Sequence, residues 1–251
     1  MLIDEALLYG EDHHERCMEY IQRYFHETQR PYVQAVYALG SIVTGDYFPG
    51  YSDLDILIVT EDVDQTSLMR DLRALNDKLL IPTFHLHKSL DFPPPDLYLL
   101  VRLLTESRLL FGSDQIENAG QFSDQELHKQ LLGSLSHRLV MLRSLCCSKA
   151  FDKYSPDYTV YYAQKFCLFG LRALLMMQGE RNTQRKHVIA QANSRNILSP
   201  KNSAFFANLL MSLEQQNYPQ TLDTRLAILF GTIEFLEEVQ HRIVSLPVVM
   251  R

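Results

Sequence analysis

Two aspartates separated by a single residue, Asp53 and Asp55, are the side chains of this sequence that are best suited to chemistry. They stand where an apolar run begins that continues to Thr60. Alternate residues of a strand share a face, so both carboxylates would lie side by side, with Leu54 on the opposite face. Neighbouring carboxylates repel each other unless a cation or a proton neutralises them. Mg²⁺ is a suitable cation, because it is commonly held by one or two carboxylates together with the phosphate oxygens of a substrate.

A glycine-serine turn, Gly40-Ser41, precedes the aspartates by about ten residues and follows a first apolar run. Gly40 lets the backbone approach a phosphate closely. Ser41, with the amides that open the next short helix, can donate hydrogen bonds to phosphate oxygens. A phosphate-binding turn beside a metal-binding pair suits nucleotidyl transfer from a nucleoside triphosphate.

The ordered combination of Gly40-Ser41 and Ser52-Asp53-Leu54-Asp55 resembles the signature of the nucleotidyltransferase superfamily that shares the catalytic fold of DNA polymerase beta. The resemblance implies that the chain transfers a nucleoside monophosphate, AMP from ATP, to a hydroxyl of a small molecule or a protein. It implies Mg²⁺ or Mn²⁺ as cofactor, Asp53 and Asp55 as catalytic metal ligands, and Gly40, Ser41 and Ser52 as nucleotide-binding residues.

The predicted strand Ile81–Lys88 departs from the family pattern, in which a third carboxylate commonly joins the metal pair. It offers His85 and His87 instead, two residues apart on one face. One imidazole can replace the carboxylate as metal ligand or base, and this would favour Mn²⁺ over Mg²⁺. Both histidines can equally cap the strand in solvent, and Asp91, just beyond the strand, is another candidate. We favour His85, because His87 lies closer to the strand end.

The second half of the chain departs from the pattern of the antibiotic-modifying members, which place a catalytic glutamate on its first helix. Residues 127–151 contain neither Asp nor Glu, and the candidate base in the middle of that predicted helix is His137. The position after the glycine-serine turn that often carries arginine is Thr44. A positive partner for the triphosphate must therefore come from elsewhere, for which Arg138, Arg172 and a metal ion are candidates.

The periodicity of apolar residues along the first half of the chain predicts the elements that position these residues. These elements alternate between helix and strand. Helices are expected over 11–29, 41–45, 65–79 and 97–105, and strands over 32–39, 54–60, 81–88 and 107–111. A loop with Pro49 and Gly50 joins the short helix to the second strand, and Pro93-Pro94-Pro95 forms a rigid break. The second strand is nearly continuously apolar, which is typical of a central strand.

From about residue 124 helical periodicity replaces the strand signals. Helices are expected near 124–150, 156–178, 184–193, 201–215 and 221–245, with Pro156 at the start of the second and Gly179 at its end. The pattern resembles HEPN-type bundles, and the two-part layout resembles kanamycin nucleotidyltransferase. We therefore predict an α+β protein: a nucleotidyltransferase α/β domain with a mixed sheet at 1–120, followed by an all-α bundle at 121–251. The resemblance also implies a homodimer.

Two other functions remain open on the sequence. A chain without the third carboxylate can keep the fold, bind nucleotide and regulate a partner with weakened catalysis. The spacing of Arg181 and His187 fits the Arg-x4–6-His pattern of HEPN ribonucleases, in which arginine stabilises a phosphate and histidine transfers a proton.

The composition is that of an ordinary globular protein, with 46% hydrophobic and 22% charged residues. The net charge of −6 argues against a general nucleic-acid-binding function, because such proteins are usually basic. Neither a basic leader with a long apolar core nor a run long enough for a membrane span occurs in the sequence. We therefore expect a cytoplasmic protein.

Overall fold

We describe a computed structural model of the 251-residue chain. The residues described are 13–28, 30–44, 52–61, 66–79, 82–88, 97–116 and 123–246. The chain divides into two compact units, Met1–Gln121 and Phe122–Arg251. The first combines a mixed sheet with helices and the second is helical, so the predicted α+β class is confirmed. Within the described ranges, every helix is too short or too polar to cross a bilayer.

The first unit is a four-stranded sheet with helices on both faces. Its strands are β1 Val33–Leu39, β2 Leu54–Thr60, β3 Pro82–Lys88 and β4 Ser107–Gly112, in the spatial order β3-β2-β1-β4. β1 pairs antiparallel with both β2 and β4, whereas β2 and β3 are parallel, so β2 is a central strand as predicted. The helices of this unit are α1 His13–Thr28, α2 Ser41–Thr44, α3 Thr66–Leu79 and α4 Leu97–Glu106.

Alternation along the strands gives the sheet two different buried faces. One face, which includes Ile56 and Ile58, packs against apolar side chains of α1 and α3. The other face, which includes Tyr37, Leu57 and Val59, packs against Leu103 of α4. Asp55 precedes Leu57 by two residues and so belongs to the face that α4 covers. This placement decides which helix can reach the carboxylate.

The second unit is a bundle built around the helix α6 (Pro156–Met177), whose side chains are buried along most of its length. The predicted start of α6 at Pro156 and the glycine that ends it, Gly179 with φ 86°, are both found. One boundary differs: α5 ends at Cys146 rather than near residue 150, because Ser148 caps a separate 3₁₀ helix. The elements are α5 Asp124–Cys146, the 3₁₀ helix Lys149–Lys153, α6 Pro156–Met177, α7 Arg185–Ser194, α8 Pro200–Glu214 and α9 Leu222–Ser245.

Several residues named from the sequence lie outside the described residues. These are the loop with Pro49 and Gly50, Asp91, and the run Pro93-Pro94-Pro95. The other predicted elements agree with the structure to within a few residues at their ends, the usual uncertainty of helix and strand boundaries.

A partly buried carboxylate joins the start of α8 to α9. Glu238 accepts hydrogen bonds from the backbone N–H and the hydroxyl of Ser199 and from the side-chain amide of Asn202, at 2.6–2.7 Å. Arg242, one turn along α9, donates to the same carboxylate at 2.8 Å. Burial raises the pKa of Glu238, but these donors outweigh it and hold the pKa at about 2.

We expect Glu238→Gln to lower the free energy of unfolding by about 2–3 kcal/mol at pH 7. The reason is that folding moves the pKa of this carboxyl from 4.5 to about 2. Because the folded-state pKa is the lower one, the contribution is complete above about pH 4.5 and is lost as the pH falls through about 2. The difference between wild type and variant should therefore narrow below about pH 4.5. Urea denaturation followed by circular dichroism at several pH values measures it.

The neighbouring residue supplies a matched control. Glu237 is half exposed and pairs with Arg143 at 2.6 Å on the surface of α9. Exposed ion pairs contribute little, so Glu237→Gln should change stability by less than about 1 kcal/mol. An equal loss in both variants, or a difference that grows in acid, would contradict this account of Glu238.

Candidate active site

The turn between β1 and α2 has the backbone geometry that requires glycine. Gly40 has φ 71°, in the left-handed region that side chains with a Cβ rarely adopt. Its N–H donates to the backbone carbonyl of Glu106 at 3.1 Å, and its carbonyl accepts from the N–H of Val43 at 2.9 Å. The turn is therefore fixed on one side by the end of α4 and on the other by the first turn of α2, where Ser41 lies.

Strand pairing brings this turn to the carboxylates. Leu39, the last residue of β1, lies opposite Asp55, the second residue of β2, in the antiparallel register. A Cβ atom on Gly40 would lie 3.8 Å from Oδ2 of Asp55. Asp53 is exposed just before β2, and Ser52 before it is buried. The sequence-predicted residues Gly40, Ser41, Ser52, Asp53 and Asp55 are thus grouped around one junction of β1 and β2.

The two histidines of β3 differ in what they reach. The parallel register places His85 opposite Leu57 and His87 opposite Val59, so His85 lies nearer the beginning of β2. Nε2 of His85 is 3.3 Å from Oδ1 of Asp55, and its side chain is 45% exposed. The pKa of His85 is raised, by the hydrogen bond with Asp55 and by the charges of Asp55 and Asp53, against the opposing effects of burial and of Arg102.

Arg102 on α4 is a member of this cluster that the sequence reasoning missed. Its Nη2 atom lies 4.0 Å from Oδ2 of Asp55, and a Cβ atom on Gly40 would lie 2.5 Å from it. Its Nε donates to Oε2 of Glu106 at 3.0 Å, and the Glu106 side chain is only 1% exposed. The available signal was an arginine and a glutamate four residues apart in the otherwise apolar stretch Leu97–Glu106.

The donor set suits a cation that is completed by its substrate. Asp53 and Asp55 are two oxygen ligands of the kind that Mg²⁺ accepts alongside phosphate oxygens. Among the described residues, no three side chains of His, Cys, Asp or Glu form a preassembled metal site. His85 therefore lies beside Asp55 but does not belong to a preassembled metal site of three ligands. Two carboxylates and a bound triphosphate fit the cation that the superfamily resemblance implies.

The candidates in the helical unit have local structural neighbours. Arg138 stacks on the ring of Phe169 at 3.5 Å and donates to the carbonyl of Ser134, and Arg172 donates to the carbonyl of Thr183 at 2.8 Å. His137 is exposed on α5, opposite a buried leucine stripe. The roles of these side chains at the site of the first unit stay predictions.

The two residues of the ribonuclease hypothesis are both engaged with carboxylates. Arg181 Nη2 lies 3.5 Å from Oδ1 of Asp124, and His187 Nε2 lies 3.2 Å from Oε2 of Glu180. The pKa of Glu180 is lowered by the backbone N–H of Asn182 and by His187. These ion pairs explain Arg181 and His187 as structural residues at the surface of the bundle.

Comparison with known proteins identifies a family model that matches most of the first unit. Residues 19–118 match the family model described as "Nucleotidyltransferase domain". The resemblance to the nucleotidyltransferase superfamily is confirmed. The matched segment includes the β1–α2 turn, the start of β2, His85 and Arg102. A search of curated proteins found no match.

The two-part layout also has a counterpart among solved structures. The crystal structure of spectinomycin adenyltransferase AAD(9) from Enterococcus faecialis with ATP and spectinomycin matches with a TM-score of 0.59 and 15% sequence identity. The match covers 89% of this chain and 99% of that chain. At this identity the likeness concerns the fold alone. That fold is a nucleotidyltransferase domain followed by a helical unit, which is the layout predicted from the sequence.

Proposed function

We propose that the protein is a metal-dependent nucleotidyltransferase that transfers AMP from ATP to a hydroxyl of a small molecule or a protein. The observation that carries the proposal is the pairing of β1 with β2, which puts the Gly40-Ser41 turn against Asp55. A triphosphate seated at this turn would have its phosphates beside both carboxylates.

Asp53 and Asp55 are the residues that would hold Mg²⁺ or Mn²⁺. When bound, such a cation neutralises phosphate charge and activates the acceptor oxygen. Gly40 and Ser41 would bind the β- and γ-phosphates through backbone approach and a hydroxyl donor, and Ser52 supports the start of β2 next to them. The residues of the chain thus orient the triphosphate so that pyrophosphate can leave.

The acceptor must lose its hydroxyl proton, and two histidines are candidates for receiving it. His85 contacts Asp55, and an imidazole oriented by a carboxylate is a common arrangement of a general base. His137, in the helical unit, is the candidate base that the sequence offers. The spectinomycin adenyltransferase structure contains ATP and spectinomycin, which is a small molecule. A small-molecule hydroxyl is accordingly the first acceptor class to test.

The direct experiment measures pyrophosphate release from ATP with Mg²⁺ or Mn²⁺ across a library of hydroxyl-bearing metabolites, antibiotics and proteins. We expect at least one acceptor to support metal-dependent release that chelation abolishes. Transfer is then verified by a mass increase of one AMP on the acceptor. Nucleotide binding without pyrophosphate release for any acceptor would contradict the catalytic proposal.

A regulatory nucleotide-binding module is the second candidate, and one observation favours it. The oxygens of Asp55 already face His85 at 3.3 Å and Arg102 at 4.0 Å, and β3 offers histidines where the family commonly has the third carboxylate. Such a site can bind nucleotide while turning it over slowly. The homodimer, the HEPN kinship of the bundle and the cytoplasmic location stay predictions.

A further inference from the structure

The guanidinium of Arg102 lies next to Gly40 in the Gly40-Ser41 turn. Its Nη2 atom would be 2.5 Å from a Cβ on Gly40, so a side chain at this position would displace the guanidinium. The same Nη2 lies 4.0 Å from Oδ2 of Asp55. One nitrogen of Arg102 is therefore adjacent both to the turn and to a carboxylate of the proposed metal pair.

Glu106 holds this guanidinium in place from behind. Its buried carboxylate accepts from Nε of Arg102 at 3.0 Å, and its backbone carbonyl accepts from the N–H of Gly40 at 3.1 Å. The same residue thus anchors both the arginine and the turn. An arginine whose Nε is anchored in this way presents its terminal nitrogens as a rigid, planar fork, the geometry that suits phosphate oxygens.

Charge at the site makes Arg102 the side chain of the cluster that can attract an anion. Asp53, Asp55 and Glu106 are acidic, and Arg102 is the arginine that lies beside Asp55 and Glu106. A salt bridge between Arg102 and Glu106 alone would not require a guanidinium nitrogen of Arg102 to lie next to Gly40. The 24% exposure of the Arg102 side chain leaves a solvent-facing edge that an incoming anion can reach.

We propose that Arg102 is a triphosphate-binding residue of this site and supplies from α4 the positive charge that the turn lacks at Thr44. The chemical class it recognises is the β- and γ-phosphate of a nucleoside triphosphate. Glu106 is its positioning residue. The inference rests on the proposed function, because it assumes that a triphosphate occupies the Gly40-Ser41 turn.

Calorimetric titration of ATP, ADP and AMP with saturating Mg²⁺ tests this assignment. We expect Arg102→Gln to weaken ATP binding about ten- to a hundredfold, the usual effect of losing a charge-assisted contact, and to leave AMP binding within about twofold. Arg102→Lys should fall in between, because lysine keeps the charge and loses the fork. Arg108→Gln is the matched control: Arg108 is exposed, pairs with Glu15 on α1, and should behave as wild type.

The outcomes separate the two proposals. If wild type binds ATP and Arg102→Gln binds ATP equally well, the assignment of Arg102 is wrong while the proposed function stands. An equal loss for ATP and AMP would also overturn it, since that pattern indicates a general disturbance of the site. If wild type binds neither ATP nor another triphosphate, the proposed function fails and the inference with it. Thermal unfolding checks each variant's fold, and should Arg102→Gln unfold, unchanged ATP binding by Arg102→Lys overturns the assignment instead.

Discussion

Asp53→Asn and Asp55→Asn should each lower Mg²⁺-dependent ATP turnover by more than about a hundredfold and abolish the dependence of ATP binding on the metal. Both replacements remove a charge and leave a side chain of nearly the same shape. Asp53 is exposed, and the Asp55 side chain is 23% exposed at the second residue of β2, so neither contributes much to core packing. The fold should therefore survive, and circular dichroism with thermal unfolding verifies it.

The same strand offers a control for this experiment. Glu61 directly follows β2 at its other end and is exposed. Glu61→Gln makes the same chemical change away from the Gly40-Ser41 turn and should leave ATP binding and turnover unaltered. Metal-dependent ATP binding that persists unchanged in both aspartate variants would show that the metal pair lies elsewhere.

The local parts of this site could be predicted because they depend on short-range rules. An apolar run that ends in Gly40-Ser41 and another that begins after Asp53 specify two strand ends. Antiparallel pairing then brings the end of one strand to the start of the next, as Leu39 and Asp55 show. The nearly continuous apolar run of β2 also indicated a central strand, and β2 is buried on each side by different helices.

Arg102 and Glu106 were missed because their importance depends on where α4 lies in three dimensions. In the sequence they are an arginine and a glutamate four residues apart, which is the spacing of an ordinary surface ion pair. Glu106 is buried, however, because α4 packs over Leu57 and Val59 and ends where β4 begins. Only this packing turns Arg102 toward Gly40, and no pattern of nearby residues specifies it.

The choice between His85 and His87 depended in the same way on the register of β2 with β3. Alternation puts both imidazoles on one face and cannot say which is beside the carboxylates. The parallel pairing sets Asp55 opposite Thr83, so His85 is the nearer histidine and reaches Oδ1 of Asp55. His87 is two residues further along β3, a displacement of about 6–7 Å away from the start of the strand.

Replacing His85 should change which metal ion supports nucleotide binding. If the imidazole ligates the cation, Mn²⁺ should support tighter ATP binding than Mg²⁺ in wild type, because Mn²⁺ accepts nitrogen ligands more readily. His85→Ala should then weaken Mn²⁺-dependent ATP binding by about tenfold or more, an effect of the size seen when groups around a metal are removed. His85→Asp restores an oxygen ligand and should shift the preference back to Mg²⁺.

His87 provides the matched control, since it is the same residue type on the same face of β3. His87→Ala and His87→Asp should leave the ratio of Mn²⁺- to Mg²⁺-supported affinity at its wild-type value. Calorimetric titration of ATP with each metal measures all four variants. If the His85 variants keep the wild-type ratio as well, imidazole does not ligate the metal. Its contact with Asp55 would then orient the carboxylate or serve a proton transfer, and the cation would depend on Asp53, Asp55 and the triphosphate alone.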